Sequence, residues 1–95
     1  MQPNVSHNPA QFRFESSVQG QLCELNYRRD GKVLSIHHVG VPQALEGQGF
    51  AGALTVRALD WARMENLTVV ALCPYVAAWI RRHPSYQDLL AERGA

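Results

Sequence analysis

Several things are scarce in this 95-residue chain, and each scarcity closes off a class of protein. There are only two cysteines, Cys23 and Cys73. That is too few for the disulfide framework of a small secreted domain. No CxxC pair occurs and the four histidines lack ligand spacing, so no zinc site, nor any other metal site, is expected. Neither charge sign is in excess: the formal net charge is +1, with 18% charged residues. A protein that reads nucleic acid through its phosphates normally carries a clear basic surplus, so no nucleic-acid partner is expected. Long apolar runs are missing as well. Nothing reaches bilayer length and the N-terminal residues lack a signal-type apolar core, so a cytoplasmic protein without membrane contact is expected.

What is present is enough apolar residue, 46%, for one compact core. Residues 1–10 are polar and interrupted by Pro3 and Pro9, and they read as a flexible tail ahead of a single domain over 11–95. Phe12 to Glu15 alternates like a half-buried strand. Leu22 to Arg28 also alternates, placing Leu22, Glu24 and Asn26 on one face and Cys23, Leu25 and Tyr27 on the other. Asp30-Gly31 signals a tight hairpin leading into a third strand, Lys32 to Val41, which Pro42 ends. Phe50 to Glu65 has helical period, with Leu54, Ala58, Trp61 and Ala62 near one stripe and Asn66 as a candidate C-cap. Leu67 to Leu72 is a short apolar run suited to a central strand buried on both faces. Pro74 opens a second helix that Pro84 closes, and Ser85 with Asp88 resembles a capping box for a last short helix. The pattern is that of an α/β domain whose sheet is antiparallel at first and mixed later.

Two junctions carry the chemistry. Glu46-Gly47-Gln48-Gly49-Phe50-Ala51-Gly52 connects a strand to a helix N-terminus, where bare N–H groups can meet phosphate oxygens. It fits neither the GxGxxG dinucleotide fingerprint nor the P-loop, which needs a lysine and a hydroxyl. Two readings stay open here: a pyrophosphate cradle built of main chain, or glycines that serve turn geometry alone. Cys73-Pro74-Tyr75-Val76 forms the second junction. A helix N-terminus favours a thiolate by roughly 0.3–1 kcal/mol, too little alone to make an active nucleophile. A neighbouring base is required, and His38 on the preceding strand is the candidate. Here too a purely structural cysteine stays open. Cys23, inside a strand, is expected to be buried and inert.

These segments together resemble the small, single-domain GNAT-like N-acetyltransferase family. The resemblance runs from Gly20 to Arg28, through Asp30-Gly31 and His38-Val39-Gly40-Val41-Pro42. It continues in Glu46-Gly47-Gln48-Gly49-Phe50-Ala51, Leu72-Cys73-Pro74-Tyr75-Val76 and Ile80-Arg81-Arg82-His83-Pro84-Ser85-Tyr86. It implies a GNAT-like acyl-CoA N-acyltransferase fold, a central sheet flanked by helices, with acetyl-CoA as the acetyl donor. The donor's pyrophosphate would lie over Gly47, Gln48, Gly49, Phe50, Ala51 and Gly52, and its pantetheine along Val39, Gly40 and Val41. By the same resemblance Cys73 matches a suspected nucleophile and His38 a recurrent strand histidine.

There are departures. Glu46 stands where arginine or glutamine is usual, and is expected to turn its carboxylate away from the pyrophosphate. Val39 replaces a frequent hydroxyl, and the helices that commonly build an acceptor pocket are missing. The activity implied is acetyl transfer to a small-molecule amine or protein acceptor. The alternative is a non-catalytic CoA- or acyl-CoA-binding module that presents a surface to a protein partner.

Overall fold

The computed structural model describes residues 4–91. Five strands form one sheet in the order β1 (Ser6–Asn8), β2 (Arg13–Val18), β3 (Gln21–Asp30), β4 (Val33–Gly40) and β5 (Thr68–Ala71). The first four are antiparallel neighbours, and β5 runs parallel to β4. Joining two parallel strands requires a crossover, which α1 (Phe50–Met64) provides. Helix α2 (Pro74–Arg82) follows β5, and a 3₁₀ segment (Pro84–Leu89) ends the described fold.

The hairpins are set by residues that tolerate positive φ. The β3–β4 loop is Gly31-Lys32, one residue beyond the expected pair, because Asp30 still pairs with Val33. Gly31, at φ +62°, takes the left-handed first position. The β2–β3 loop is Gln19-Gly20, with both residues at positive φ, +51° and +77°. This is the two-residue turn usually marked by Asn-Gly, and glutamine in its first place hides it from a sequence reading.

Alternation divides the sheet as expected. Phe14, Cys23, Leu25, Tyr27, Leu34 and Ile36 are buried, and the buried face of α1 (Phe50, Leu54, Ala58, Leu59 and Ala62) belongs to the same core. Thr55 is also fully buried, its hydroxyl donating to Ala51 O at 2.8 Å. Each such aliphatic or aromatic side chain contributes roughly 1.5–3 kcal/mol on burial. Cys23 is fully buried, and burial pushes its thiol pKa up. The opposite face of β2 and β3 is polar: Arg13 pairs with Glu15 at 2.6 Å and approaches Glu24 at 3.6 Å. Trp79 joins the core, whereas Trp61 is half-buried at its margin.

Four expectations need correction. Part of the supposed tail, Ser6–Asn8, is a strand paired with Asn8↔Arg13, His7↔Phe14 and Ser6↔Glu15; residues 1–3 lie outside the described residues. A ring cluster anchors it. His7 stacks on Phe14 at 4.1 Å, meets the Trp61 ring at 4.6 Å, and its Nε2 hydrogen-bonds the Tyr27 hydroxyl at 2.6 Å. A three-residue strand shows too little alternation to be recognised, and two of its anchors, Tyr27 and Trp61, are distant in sequence.

Second, β5 is the last strand of the sheet, not a central one. Its outer edge receives the Ala91 N–H on Val69 O at 2.8 Å. Only Leu67 and Val69 of the run are buried, and Leu72 is 62% exposed; a short apolar run cannot by itself tell one buried face from two. Third, the last helical segment is 3₁₀, and Asp88 does not cap it. The Asp88 carboxylate instead accepts two bonds from Arg63 of α1, at 2.8 and 3.1 Å, and is held below the usual carboxylate range by them. Fourth, the third strand does not alternate regularly throughout, but breaks at His37 and His38. Tyr27 pairs with Ile36 but Asn26 with His38, so His37 is the extra residue of a bulge and both imidazoles are exposed.

Candidate functional site

The bulge and Pro42 bring the chain off β4 into a 3₁₀ turn, Gln43–Leu45, whose Leu45 is buried. Beyond it the chain must reverse into α1 within four residues. Gly47 and Gly49 do this at φ +80° and +90°, where a side chain is strained, and Gly49 is the N-cap of α1. Phe50, buried beneath the turn, pins it to the core. The first intrahelical bond runs from Ala53 N–H to Gly49 O at 3.0 Å, and no side chain caps the helix. The N–H groups of Phe50, Ala51 and Gly52 are therefore the donors that a helix start leaves unpaired. Space around the turn is open, since a Cβ at Gly47 or Gly49 would meet nothing within 4 Å.

A cavity of about 270 Å³ adjoins this turn, lined by Val41, Leu45, Glu46, Gly47, Gly49, Phe50, Ala51, Gly52 and Tyr75. Six of the residues singled out from the sequence thus share one wall: Val41, Gly47, Gly49, Phe50, Ala51 and Gly52. Gln48 is exposed in the same turn. Main-chain donors at a helix N-terminus, open space and apolar flanks suit a phosphate group attached to an apolar chain. Glu46 is exposed in the wall of the cavity, and among the described residues its carboxylate has no hydrogen-bond or ion-pair partner.

The β4 edge beside it is free for a structural reason. Strands β4 and β5 pair only from Val33↔Thr68 to Ile36↔Ala71. After that β5 ends, with Leu72 and Cys73 both donating their N–H to Ile36 O at 3.0 Å. The continuation through Val39 and Gly40 pairs with β3 alone, through Leu25 and Glu24. A gap therefore opens between the two parallel strands, next to the glycine turn. Gly40 has its own constraint, because a Cβ there would stand 2.8 Å from His38 Nε2. The His38 ring lies against the bare glycine.

Cys73 sits at the other junction as the N-cap of α2, 7% exposed, and no bond forms between it and His38 among the described residues. The sequence reading named Tyr75 only within its motif. In the structure the Tyr75 hydroxyl lies 3.7 Å from the Cβ position of Gly52, on the cavity wall. Its place two residues after Cys73, one step into a helix, was the available signal.

This mixed sheet, with a glycine-turn helix crossing between its parallel strands, defines the fold of an N-acetyltransferase. The family profile described as GCN5-related N-acetyl-transferase matches residues 13–89. The chain belongs to that family, and acetyl transfer is its class of reaction. It is 30% identical over 88 residues to Protein NATD1 of Mus musculus and of Homo sapiens, covering 90% of this chain and 80% and 78% of those proteins. A GCN5-like protein from Staphylococcus aureus, solved in solution by NMR, superposes with a TM-score of 0.74 at 27% identity, covering 95% of this chain and 91% of that one. No helix of the described residues is long and apolar enough to cross a membrane.

Proposed function

We propose that this chain binds acetyl-CoA and transfers the acetyl group to an amine, either a small molecule or a protein side chain. The observation that carries the reading is the left-handed Gly47 and Gly49 turn at the start of α1, with open donors beside a cavity reaching Val41 and Tyr75. The pyrophosphate would accept from the N–H groups around Gly49 to Gly52. The pantetheine would follow the β4 edge at Val39 to Val41, where β5 has turned away. The donor supplies an activated thioester; the chain's residues orient it and manage protons.

His38 is the base in this reading, exposed next to the free edge and able to take a proton from the acceptor ammonium. Tyr75 is the acid, its hydroxyl on the cavity wall and available to the departing thiolate. Transfer is then direct. Cys73 is the less suited group because it is nearly closed off, whereas His38 is exposed. Its role is to close the α2 junction rather than to carry the acetyl group.

Titration with acetyl-CoA followed by thermal unfolding tests the binding step. At 100 times the dissociation constant the ligand should stabilise the fold by about 2.7 kcal/mol. No shift would overturn the proposal. With binding established, Tyr75→Phe should lower turnover by roughly 10²-fold, the lower range for a lost proton-transfer group. Unchanged turnover would remove Tyr75 from its role. A shift without thioester turnover across a panel of amines would favour a CoA-binding module.

A further inference from the structure

One cleft lies apart from the glycine turn, at the polar face of the sheet. Strand β3 outruns its neighbour there. The β2–β3 pairing stops at Arg13↔Asn26, with one further bond from Tyr27 N–H to Phe12 O at 3.0 Å, while β3 continues to Asp30. Tyr27 thus turns its main-chain groups to the β2 side. Arg29, two residues on, turns its N–H and C=O the same way, where no strand follows. A cleft of about 520 Å³ occupies this notch. Gln11 and Phe12 line it from the β2 side and His37 from β4, with Asn26, Arg28 and Arg29 of β3 between them.

Two of these residues do little for the fold. Phe12 closes the 3₁₀ turn Pro9–Gln11 at φ +55° and ψ 50°, a conformation that strains a bulky residue, yet it is 57% exposed. Its ring meets only Tyr27, edge-on at 6.4 Å, among the described residues. Arg28 is exposed and makes no hydrogen bond or ion pair among the described residues. Arg29 beside it is committed, to Gly31 O at 3.1 Å, to Glu65 at 3.6 Å and over the Trp61 ring. No acid lines the cleft. Glu24, on the same face of the sheet, is held by Asn26 at 3.4 Å and Arg13 at 3.6 Å. The cleft thus offers an exposed ring, a free guanidinium, an imidazole and a main-chain edge.

It also reaches the proposed base. Asn26, in its wall, pairs directly with His38 across β3 and β4, and cross-strand partners share a face. We infer that this cleft docks the acetyl acceptor as an extended acidic peptide. The peptide's main chain adds to the β3 edge at Arg29, a carboxylate meets Arg28, and a lysine runs past Asn26 to His38. The inference rests on the acetyl-CoA reading above and gives it a substrate class, a protein lysine with acidic neighbours. The lysine Nζ attacks the thioester carbon; the N–C bond forms and the C–S bond breaks. Of the two protons the ammonium loses, one goes to His38 and the other replaces the proton that Tyr75 gives the CoA sulfur. A small free amine would engage neither the strand edge nor Phe12 and Arg28.

Acetyl-CoA with three acceptors tests this, product formation being read by mass spectrometry. The acceptors are a short peptide with one lysine among aspartates and glutamates, the same peptide with arginines in their place, and the free amine Nα-acetyl-lysinamide. The native chain should show a kcat/KM for the acidic peptide roughly tenfold or more above the other two, the range of a hydrogen bond to a charged group. Arg28→Glu should turn the preference toward the basic peptide, and Arg28→Lys should keep part of the native one. Arg28→Glu should also keep the thermal shift with acetyl-CoA, which shows that it folds and holds the donor. Phe12→Gly, which relieves the strained φ, should raise KM for the acidic peptide several-fold. Equal kcat/KM for the three acceptors, or a preference that Arg28→Glu leaves unchanged, would overturn the inference while the acetyl-CoA reading stands. Absence of any thermal shift with acetyl-CoA in the native chain would overturn both.

Discussion

The chain has two strand-to-helix junctions, and they are built in opposite ways. At the first, Gly47 and Gly49 adopt left-handed conformations, the turn is exposed, and the helix N–H groups face open space. At the second, Cys73 is extended (φ −78°, ψ 125°), nearly buried, and gives its N–H to Ile36 O; Pro74 has no N–H to offer. Both start a helix and both have a positive dipole end. The first leaves three amides free, Phe50, Ala51 and Gly52, beside an open turn; at the second only Tyr75 and Val76 remain, behind a proline and a nearly buried cysteine. A helix N-terminus becomes an anion receptor when the preceding chain leaves its amides unspent, and glycine there is the means.

The largest expected effect breaks the first junction. Gly49→Asp places a carboxylate in the phosphate path at φ +90° and should abolish CoA binding, a loss above 10²-fold by calorimetry. Backbone strain of roughly 1–2 kcal/mol should leave the chain folded by circular dichroism. Gly49→Ala carries the strain without the charge and should lose clearly less affinity. Equal losses would make geometry, not phosphate binding, the reason for the glycine.

A smaller effect is expected at the second junction. Cys73→Ser should change turnover by less than threefold, since the group is treated as structural. Its stability should stay near the native value or rise by up to about 1 kcal/mol, because serine can cap α2 where cysteine makes no capping bond. A 10²-fold fall in turnover with intact binding would reverse the comparison and make Cys73 the nucleophile.

The smallest effect concerns β1, which leads from Asn4 and Val5 in the wall of a cavity of about 590 Å³ beside Gly49 and Gly52. Burial, and then the nearby Arg57 charge, hold the His7 pKa below its ordinary value of about 6.5. The unfolded chain therefore takes up this proton first as pH falls. The His7 contribution is complete above about pH 6.5 and is lost as pH drops through the lower folded value. Thermal melts at pH 7.5 and 5.5 should show a larger acid-induced loss for the native chain than for His7→Phe. Equal losses would show that the β1 anchor does not titrate.

The turn at the first junction was legible in the sequence, because glycines between an extended segment and a helical period mark a sharp change of direction; what the turn binds was not. The buried face of β3 was legible for the same kind of reason: alternation at Cys23, Leu25 and Tyr27 is local. The Gln19-Gly20 turn was not, since glutamine is a rare occupant of a left-handed position. Nor was the bulge at His37, which arises from how β3 and β4 are held together. Arg57 and Trp79, far apart in the chain, line one cavity only because α2 comes close to α1 at Gly52.

By itself the sequence determined the strand or helix type of β2 to β5, α1 and α2, the buried face of β3 and the turn at Gly47 and Gly49, because backbone preference and hydrophobic period act over a few residues. The tertiary structure decided which groups share a site. It parted β4 from β5, laid His38 on Gly40, closed Cys73 in and turned the Trp79 N–H toward Gly52. Those outcomes depend on contacts between segments tens of residues apart, fixed only when the sheet and its helices close on one core.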